Sequence, residues 1–411
     1  MTCDILIKNI KGLVQVRTAP VNILRGSAMD DLPILADAWL AISDGVISGF
    51  GKMDTLPSVS AQQEIDALGK FVFPGFVDSH THLVFAQSRE EEFVMKIKGS
   101  SYQEIAAKGG GILSSAKKLQ QVSEDELYER SLSRVEEIIR TGTSAVEIKS
   151  GYGLTVKDEL KMLRVARRIG RESKLTVKTT LLGAHAVPSG MDRDEYVNLV
   201  INEMIPAAAS ENLADYIDVF CEQGFFTQSD TEQILKAGLK HGMKGRVHAN
   251  QLSRSGGVEA GVNAGAISVD HLESIGDEEI SVLLNSKTMP TALPGAAFFL
   301  GLSFPPARKM LEAGLPIAIA SDFNPGSSPS GNMPVMISLA CIKMKLTPEE
   351  AINASTINTA AALEILDTHG SITVGKTASL FITRPMPSVA YLPYAYGSNL
   401  IETIILKGEI Y

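Results

Sequence analysis

Histidines in this sequence gather where strands are expected to end. The chain has only seven histidines in 411 residues, yet His80 and His82 stand either side of one threonine in FVFPGFVDSHTHLVF, residues 71–85. On a strand, residues i and i+2 point to the same face, so the two imidazoles are expected to project together. A lone buried histidine is most often a satisfied core residue, but two side by side need a shared partner. A metal ion is the natural partner.

Residue types that bind metals recur in four further apolar runs. His185 lies in TTLLGAHAV, His248 in GRVHANQL, His271 in AISVDHLE and Asp322 in PIAIASDFNPG. Histidine nitrogen and carboxylate oxygen suit Zn or Fe(II), and the lack of a thiolate ligand favours a catalytic site with an open position for water. We therefore expect one divalent metal ion per chain, Zn or Fe, with these ligands: His80, His82, His248 and Asp322. Such an ion would lower the pKa of its water to ~7 and polarise a carbonyl under attack.

The runs that carry these residues alternate with amphipathic helical segments, which is the pattern of a parallel sheet wrapped in helices. Eight β/α units predict a TIM-type (β/α)8 barrel of the α/β class. A doubly wound sheet is the alternative, but it would not by itself explain the clustered strand-end residues. The runs are FVDSHTHL, SAVEIKSG, TTLLGAHAV, YIDVFCEQG, GRVHANQL, AISVDHLE, TMPTALPG and PIAIASDFNPG. His241 and His369 fall in a helix tail and a turn, and both are predicted to be surface residues.

Short alternating segments at both ends of the chain predict a second, smaller unit. DILIKNI and NLIETIILKGEIY are examples, and their alternation is typical of half-buried strands. We expect a small β-domain of the sandwich type built from residues 1–70 and 361–411, and a barrel domain over residues 71–360. Two helix starts are marked in the barrel, one by a capping box of Ser123 and Glu126 and one by Thr347 before Pro348.

The composition argues against several classes of partner. A formal net charge of -9 disfavours a nucleic-acid or anionic membrane surface, since both need a basic footprint. No apolar run reaches ~18 residues, so no membrane span is expected. The start, MTCDILIKNIKGLVQV, lacks the pattern of a signal peptide. The three cysteines, Cys3, Cys221 and Cys341, are widely separated and form neither a disulfide framework nor a CxxC cluster, which favours a reducing cytoplasm.

The combination of PGFVDSHTHL, VHANQ, VDHLE and ASDFNPG resembles the amidohydrolase superfamily of metal-dependent barrel hydrolases. The stretches THLVFAQSREEEF, YQEIAAKGGGI, VEIKSGYGL, LLGAHAVP, HANQLSRSGG and ASDFNPGSSPSGNMP narrow the resemblance to the imidazolonepropionase family. The resemblance covers essentially the whole chain. It implies hydrolytic ring opening of a small-molecule substrate, 4-imidazolone-5-propanoate, to N-formimidoyl-L-glutamate in histidine degradation. A homodimer is compatible with this family.

Carried over residue by residue, the resemblance implies the metal ligands His80, His82, His248 and Asp322, substrate contacts from Arg89, Tyr152, His185, Gln251 and Ser327, and product contacts from Asn324 and Gly326. The residue types agree in part. Arg89 offers a planar fork suited to a propionate, although its acidic neighbours Glu90 to Glu92 leave a surface ion pair open. Tyr152 stands between two glycines and is equally compatible with a ligand contact and with a rim aromatic.

Acid–base roles are expected for His271, Asp322 and His185. Asp322 can accept a proton from water, His271 can orient or protonate groups near the metal, and His185 can polarise the substrate. Related deaminases carry glutamate three residues after the strand-five histidine, whereas this chain has Gln251, which cannot titrate and is assigned to binding. Strand four, YIDVFCEQG, lacks the lysine of binuclear relatives, which favours a single metal. The rival functions are an aminohydrolase that releases ammonia and a non-catalytic barrel.

Overall fold

The computed structural model describes residues 2–19, 22–99 and 110–411, which form two sheets of eight strands each. Within these ranges, no helix is both long and apolar enough to cross a bilayer. In chain order the strands are β1 (Thr2–Val14), β2 (Ile34–Ser43), β3 (Val46–Lys52), β4 (Ser60–Asp66), β5 (Phe71–Pro74), β6 (Phe76–Asp78), β7 (Thr143–Lys149), β8 (Thr176–Ala184), β9 (Tyr216–Cys221), β10 (Lys244–Ala249), β11 (Ser268–His271), β12 (Met289–Ala292), β13 (Ala318–Ile319), β14 (Leu380–Thr383), β15 (Ile401–Leu406) and β16 (Glu409–Ile410).

Helices alternate with the strands of the central region. They are α1 (Glu90–Ile97), α2 (Ile112–Gln120), α3 (Glu124–Arg140), α4 (Val156–Glu172), α5 (Arg193–Leu199), α6 (Ile205–Ser210), α7 (Gln228–Lys240), α8 (Gly257–Asn263), α9 (Asp277–Leu284), α10 (Pro294–Leu300), α11 (Ala307–Glu312), α12 (Met333–Met344), α13 (Pro348–Ser355), α14 (Ile357–Ala362) and α15 (Tyr391–Tyr394). Short 3₁₀ turns span Gly26–Asp30 and Met53–Thr55, and a π-helical turn, Val200–Met204, links α5 to α6.

Strands β6 to β13 form one parallel sheet in which each strand pairs with the next along the chain. All eight predicted strands are therefore present. Their residues are almost all buried, as expected for strands that face a barrel interior on one side and helices on the other. The predicted TIM-type barrel of the α/β class is confirmed.

The barrel closes between its first and last strands through a short bridge past their ends. Thr81 and Phe323 form an isolated parallel bridge. The Asp322 amide donates to the His80 carbonyl at 3.0 Å, and the His82 amide donates to the Phe323 carbonyl at 2.9 Å. Regular strand β6 thus ends earlier than FVDSHTHL predicted, but the bridge keeps His80 and His82 extended. Closure therefore places both histidines beside Asp322.

Strands from both chain ends form the second sheet, in the order β16-β15-β14-β5-β1-β2-β3, with β4 also paired to β1. The long strand β1 organises it, because β2 pairs antiparallel along one edge while β4 and β5 pair parallel with successive parts of the other. Ile7, Ile10 and Leu13 of this strand are fully buried. The predicted β-unit built from both termini is confirmed. Its strands pair into one mixed sheet and not into the two separate sheets of the predicted sandwich type, because β1 pairs with strands along both of its edges. The domain limits at residues 70 and 360 stay predictions.

His241 and His369 were both predicted to be surface residues, and the prediction is right for His241 and wrong for His369. His241 is exposed. His369 is only 6% exposed, and its Nδ1 lies 2.8 Å from the Thr368 hydroxyl. The reason is tertiary: Lys376 donates to the carbonyl of His369 at 2.7 Å and folds the following chain back over this turn.

The two marked helix starts are capped to different extents. Ser123 accepts from the Glu126 amide at 3.1 Å, so this part of the predicted box is present. Thr347 makes the full reciprocal box with Glu350, and its hydroxyl also donates to Asp30 at 2.8 Å. Glu350 in turn pairs with Arg308. The cap at Thr347 therefore ties α13 to neighbouring segments, whereas the cap at Ser123 is local.

We expect Thr347→Ala to lower the free energy of unfolding by about 1 to 2 kcal/mol and Ser123→Ala by about 0.5 to 1 kcal/mol, because only the former also breaks a tertiary contact. Denaturant unfolding of the two variants and the unaltered chain measures the difference. A larger loss for Ser123→Ala would contradict this interpretation of the caps.

Candidate metal centre and substrate pocket

Three imidazoles and one carboxylate converge at the mouth of the barrel. The Nε2 atom of His248 lies 3.1 Å from Nε2 of His80 and 3.3 Å from Nε2 of His82. Oδ1 of Asp322 lies 3.6 Å from Nε2 of His80 and 3.5 Å from Nε2 of His82. All four side chains are buried. The structure thus brings together the complete predicted ligand set.

The tautomers of two of these histidines are fixed by carboxylates behind them. Nδ1 of His80 lies 2.7 Å from Oδ2 of Asp270, and Nδ1 of His248 lies 3.1 Å from Oδ1 of Asp218. An ionised carboxylate can only accept, so both Nδ1 atoms must carry hydrogen. In the neutral imidazoles, both Nε2 atoms therefore present lone pairs towards one another.

Two lone pairs at such short range need a cation between them. A proton is disfavoured, because burial, together with the nearby ammonium of Lys149, holds the pKa of His80 well below its ordinary range. Burial and the neighbouring ring of His185 do the same to the pKa of His82. Imidazole nitrogens with carboxylates behind them, plus one further carboxylate, are the donor set of catalytic Zn or Fe(II) sites. The cluster fits a divalent metal ion.

Buried ion pairs hold the supporting carboxylates in place. Nζ of Lys149, at the end of β7, lies 2.8 Å from both Oε1 of Glu147 and Oδ2 of Asp218. Nη2 of Arg246, on β10, lies 3.3 Å from Oδ2 of Asp270. All five side chains are completely buried. The interior of the barrel beneath the histidines is therefore a charge network, and Lys149 serves as a counter-ion there.

The remaining strand-end groups sit on strained backbone that turns them towards the mouth. His271 and Leu272 have φ of 88° and 72°, and Asp322 has φ of 55°, all in the region that non-glycine residues rarely adopt. Burial acts to lower the pKa of His271, but the carboxylate of Glu273, 3.4 Å from its Nδ1, and the charges of Asp322 and Asp270 together raise it. Burial raises the pKa of Asp322 to about 6.

A cavity of about 460 Å³ opens above the cluster, and every residue predicted to contact the substrate or product lines it. Tyr152 is 2% exposed, and its ring centroid lies 5.4 Å from that of His185, so the tyrosine belongs to the cavity wall. The Nδ1–H of His185 donates to the Gly151 carbonyl at 2.9 Å, and burial lowers the pKa of His185 to about 3. It is therefore neutral. Gln251 also lines the cavity and is 8% exposed.

The far end of the cavity is built by α1 and the loop after β13. Nε and Nη2 of Arg89 lie 3.0 and 2.6 Å from Oε2 of Glu92, so the predicted alternative of a local ion pair is also realised. In the loop, Oδ1 of Asn324 accepts from the amides of Gly326 and Ser327 at 2.7 and 2.8 Å. The Ser327 hydroxyl reaches Oδ2 of Asp322 at 3.2 Å, and this bond links the loop to the metal cluster.

Sequence reasoning missed the groups behind the histidines and one cation at the far end. Asp218 lies inside the run YIDVFCEQG and Asp270 directly precedes His271, so each is a charged residue within a predicted buried strand, and that was the available signal. Lys96 lines the cavity seven residues after Arg89, a spacing that repeats one helix face. Residues 102–109 of the YQEIAAKGGGI stretch lie outside the described residues.

A closed parallel barrel with histidines and an aspartate at its strand ends defines a class of hydrolase. A family model described as the Amidohydrolase family matches residues 71–410. Because that match spans well over half of the sequence, the chain belongs to the amidohydrolase family. It is a hydrolase that acts on a C–N bond.

Within that family, the chain is similar along its whole length to imidazolonepropionases. The imidazolonepropionase of Christiangramia forsetii is 53% identical over 408 residues, which cover 99% of each chain. That of Flavobacterium johnsoniae is 51% identical over 407 residues, which cover 98% of this chain and 99% of the other. These matches place the chain in the imidazolonepropionase family.

Solved structures share the fold at much lower identity. An adenosine deaminase from Xanthomonas campestris with bound zinc has a TM-score of 0.73 at 17% identity and covers 100% of this chain and 93% of its own. The guanine deaminase of E. coli has a TM-score of 0.71 at 13% identity and covers 99% of this chain and 98% of its own. At these identities, the likeness supports the fold alone.

The carboxylate behind His248 gives a direct test of the cluster. We expect Asp218→Asn to weaken Zn²⁺ binding by about 10- to 100-fold, because the amide no longer enforces the tautomer that presents a lone pair. Competition with a chelator measures the affinity. The matched control is Asp215→Asn, just before the same strand, where the carboxylate pairs with Arg167 at 3.1 Å outside the barrel. Equal affinity in the two variants would contradict the assignment.

Proposed function

We propose that this chain hydrolyses 4-imidazolone-5-propanoate to N-formimidoyl-L-glutamate. The observation that carries the proposal is the 53% identity to an imidazolonepropionase over 99% of both chains. The cavity supports it, because one end has the donor set for a divalent metal and the other end has Arg89 for a carboxylate. A cyclic amide with a propionate side chain matches both ends.

The ligand set we propose is His80, His82, His248 and Asp322, with either Zn or Fe as the single ion. When bound, the ion supplies Lewis acidity that activates water and polarises the ring carbonyl. The protein contributes a rigid setting, since the rings of His80 and His248 are held from behind by Asp270 and Asp218. Such support maintains ligand geometry and basicity.

Asp322 and His271 are the proposed proton-handling groups. Asp322 takes the proton of the attacking water as a C–O bond forms at the ring carbonyl carbon. Its carboxylate lies in the ligand cluster, 3.5 Å from Nε2 of His82, where it can reach the attacking water. His271, oriented by Glu273, donates a hydrogen bond to the developing oxyanion. The ring C–N bond then breaks, and the departing nitrogen receives the proton.

The remaining predicted residues orient the substrate in this proposal. Arg89 binds the propionate, and the ring lies among Tyr152, His185 and Gln251, which can hydrogen-bond its polar edge. The loop residues Asn324, Gly326 and Ser327 contact the acyl end of the product after the ring opens. They are in position to do so because the loop lies between the metal cluster and Arg89. Binding at both ends aligns the ring carbonyl with the attacking water.

We further propose that the enzyme works in the cytoplasm, as a homodimer and without nucleic acid. The acidic net charge of -9 disfavours a polyanionic partner. All three cysteines are free, with Cys3 and Cys221 buried, which agrees with a reducing compartment. Sedimentation of the purified chain measures its oligomeric state, and a monomer at micromolar concentration would exclude the dimer.

Substrate turnover is the main test of the function. We expect the metal-loaded chain to consume 4-imidazolone-5-propanoate without releasing ammonia, because ring opening retains both nitrogens in the product. A deaminase of the same fold would release ammonia at once. The absorbance of the substrate and an ammonia assay, followed together, distinguish the two. Persistence of the substrate with metal bound would contradict the proposal.

The histidine ligands provide a matched pair of variants. We expect His248→Ala to lower kcat by at least about 1000-fold and to lose the metal, because a ligand is removed. His241→Ala alters an exposed histidine and should leave both properties unchanged. Metal analysis of each protein accompanies the kinetics. An active His248→Ala protein free of metal would contradict the ligand set.

Gln251 is expected to bind rather than to transfer protons. Gln251→Leu should raise KM by about fivefold and leave kcat within about twofold, because one neutral hydrogen bond is lost. Gln223→Leu, at an exposed glutamine, is the control. A hundredfold fall in kcat with unchanged KM would instead assign Gln251 a role in the chemical step.

A further inference from the structure

Helix α1 presents a row of charged side chains to the far end of the cavity. Arg89, at its N-cap, Glu92 and Lys96 follow one another at spacings that place them on the same face. Arg89 and Lys96 both line the cavity. Nζ of Lys96 lies 3.5 Å from the carbonyl of Gly326, and a Cβ added at Gly326 would collide with the guanidinium of Arg89. Both cations therefore reach the loop after β13.

Glu92 is the one carboxylate in this row, and both of its oxygens already accept hydrogen bonds. Oε2 of Glu92 accepts from Nε and Nη2 of Arg89, and its Oε1 accepts from the Gly111 amide at 2.9 Å. The Nη1 edge of Arg89 and the ammonium of Lys96 are left facing the loop. Burial, and then the charge of Arg89, lower the pKa of Lys96, which agrees with incomplete neutralisation. The far end of the cavity thus holds two cations and one occupied carboxylate.

We propose that Lys96 is a second cationic contact for the carboxylate of the substrate and, with Arg89, determines the preference for an anionic side chain. The inference rests on the proposed function, since it deepens the recognition of the propionate. The two groups differ in kind: Glu92 holds the guanidinium as a fixed fork, whereas the ammonium is a compact charge with three donors on a flexible stem. Lys96 can therefore close on the carboxylate that Arg89 has oriented.

The test replaces the charge and follows recognition separately from chemistry. We expect Lys96→Gln to raise KM for 4-imidazolone-5-propanoate about tenfold and to leave kcat within about threefold, and Lys96→Arg to retain most of the affinity. Lys98→Gln, at the exposed C-cap of the same helix, is the matched control and should behave like the unaltered chain. Raised salt should weaken binding to the unaltered chain more than to Lys96→Gln.

A non-hydrolysable pair of ligands removes the dependence on turnover. 3-(Imidazol-4-yl)propanoate carries the carboxylate and its primary amide does not, and calorimetric titration gives the affinity of each. We expect the preference for the carboxylate over the amide to fall about tenfold in Lys96→Gln alone. An unchanged preference would overturn the proposal, and so would an equal loss for both ligands, since that marks a structural role.

The same titration separates this inference from the proposed function. A chain that fails to hydrolyse 4-imidazolone-5-propanoate, yet prefers the carboxylate ligand in a manner that depends on Lys96, disproves the function and supports the inference. A chain that hydrolyses the substrate with the same KM in Lys96→Gln supports the function and overturns the inference.

Discussion

The lone pairs of neutral imidazoles, directed at one another across about 3 Å, are the constraint on which the site depends. Asp270 and Asp218 impose it from behind by fixing the tautomers of His80 and His248. Neutral rings at this range repel unless a positive charge lies between them. The repulsion between the nitrogen lone pairs is relieved when a cation binds between them. The folded barrel therefore holds the ligands already arranged for a metal ion.

Beneath the histidines, the barrel interior contains a network of buried carboxylates and cations. Three carboxylates, those of Glu147, Asp218 and Asp270, accompany two cations there, and burial raises the pKa of Glu147 although both cations act to lower it. Lys149 and Arg246 offset part of the excess and hold the supporting carboxylates in place. Buried ion pairs contribute little net stability because desolvation offsets their attraction. Stability must instead come from the apolar layer between strands and helices and from the sheet formed by both termini.

The sequence was sufficient for the strands and for the residues that end them, because buried parallel strands form short apolar runs between amphipathic helices. The carboxylates Asp218 and Asp270 were missed because each pairs with a histidine on another strand. The register of β9 and β10 brings Asp218 to His248, and the curvature of the barrel brings Asp270 to His80. Likewise, His369 is buried because of chain that follows it, and β6 ends early because its continuation bridges to Phe323. Contacts with other parts of the chain determine these pairings, this burial and this strand end, and the local sequence pattern contains no information about such contacts.

The two ends of the pocket are built from different kinds of element, and that difference bears on specificity. The metal cluster stands at the ends of hydrogen-bonded strands, where closure fixes each side chain. The carboxylate end stands on α1 and on the loop after β13, which can change without altering the barrel. Ser327 bonds to Asp322 and its amide to Asn324, so the loop remains coupled to the chemistry. A substrate seated by Arg89 thus reaches the reactive end in a defined position, and a new substrate class would require changes mainly in this loop and helix.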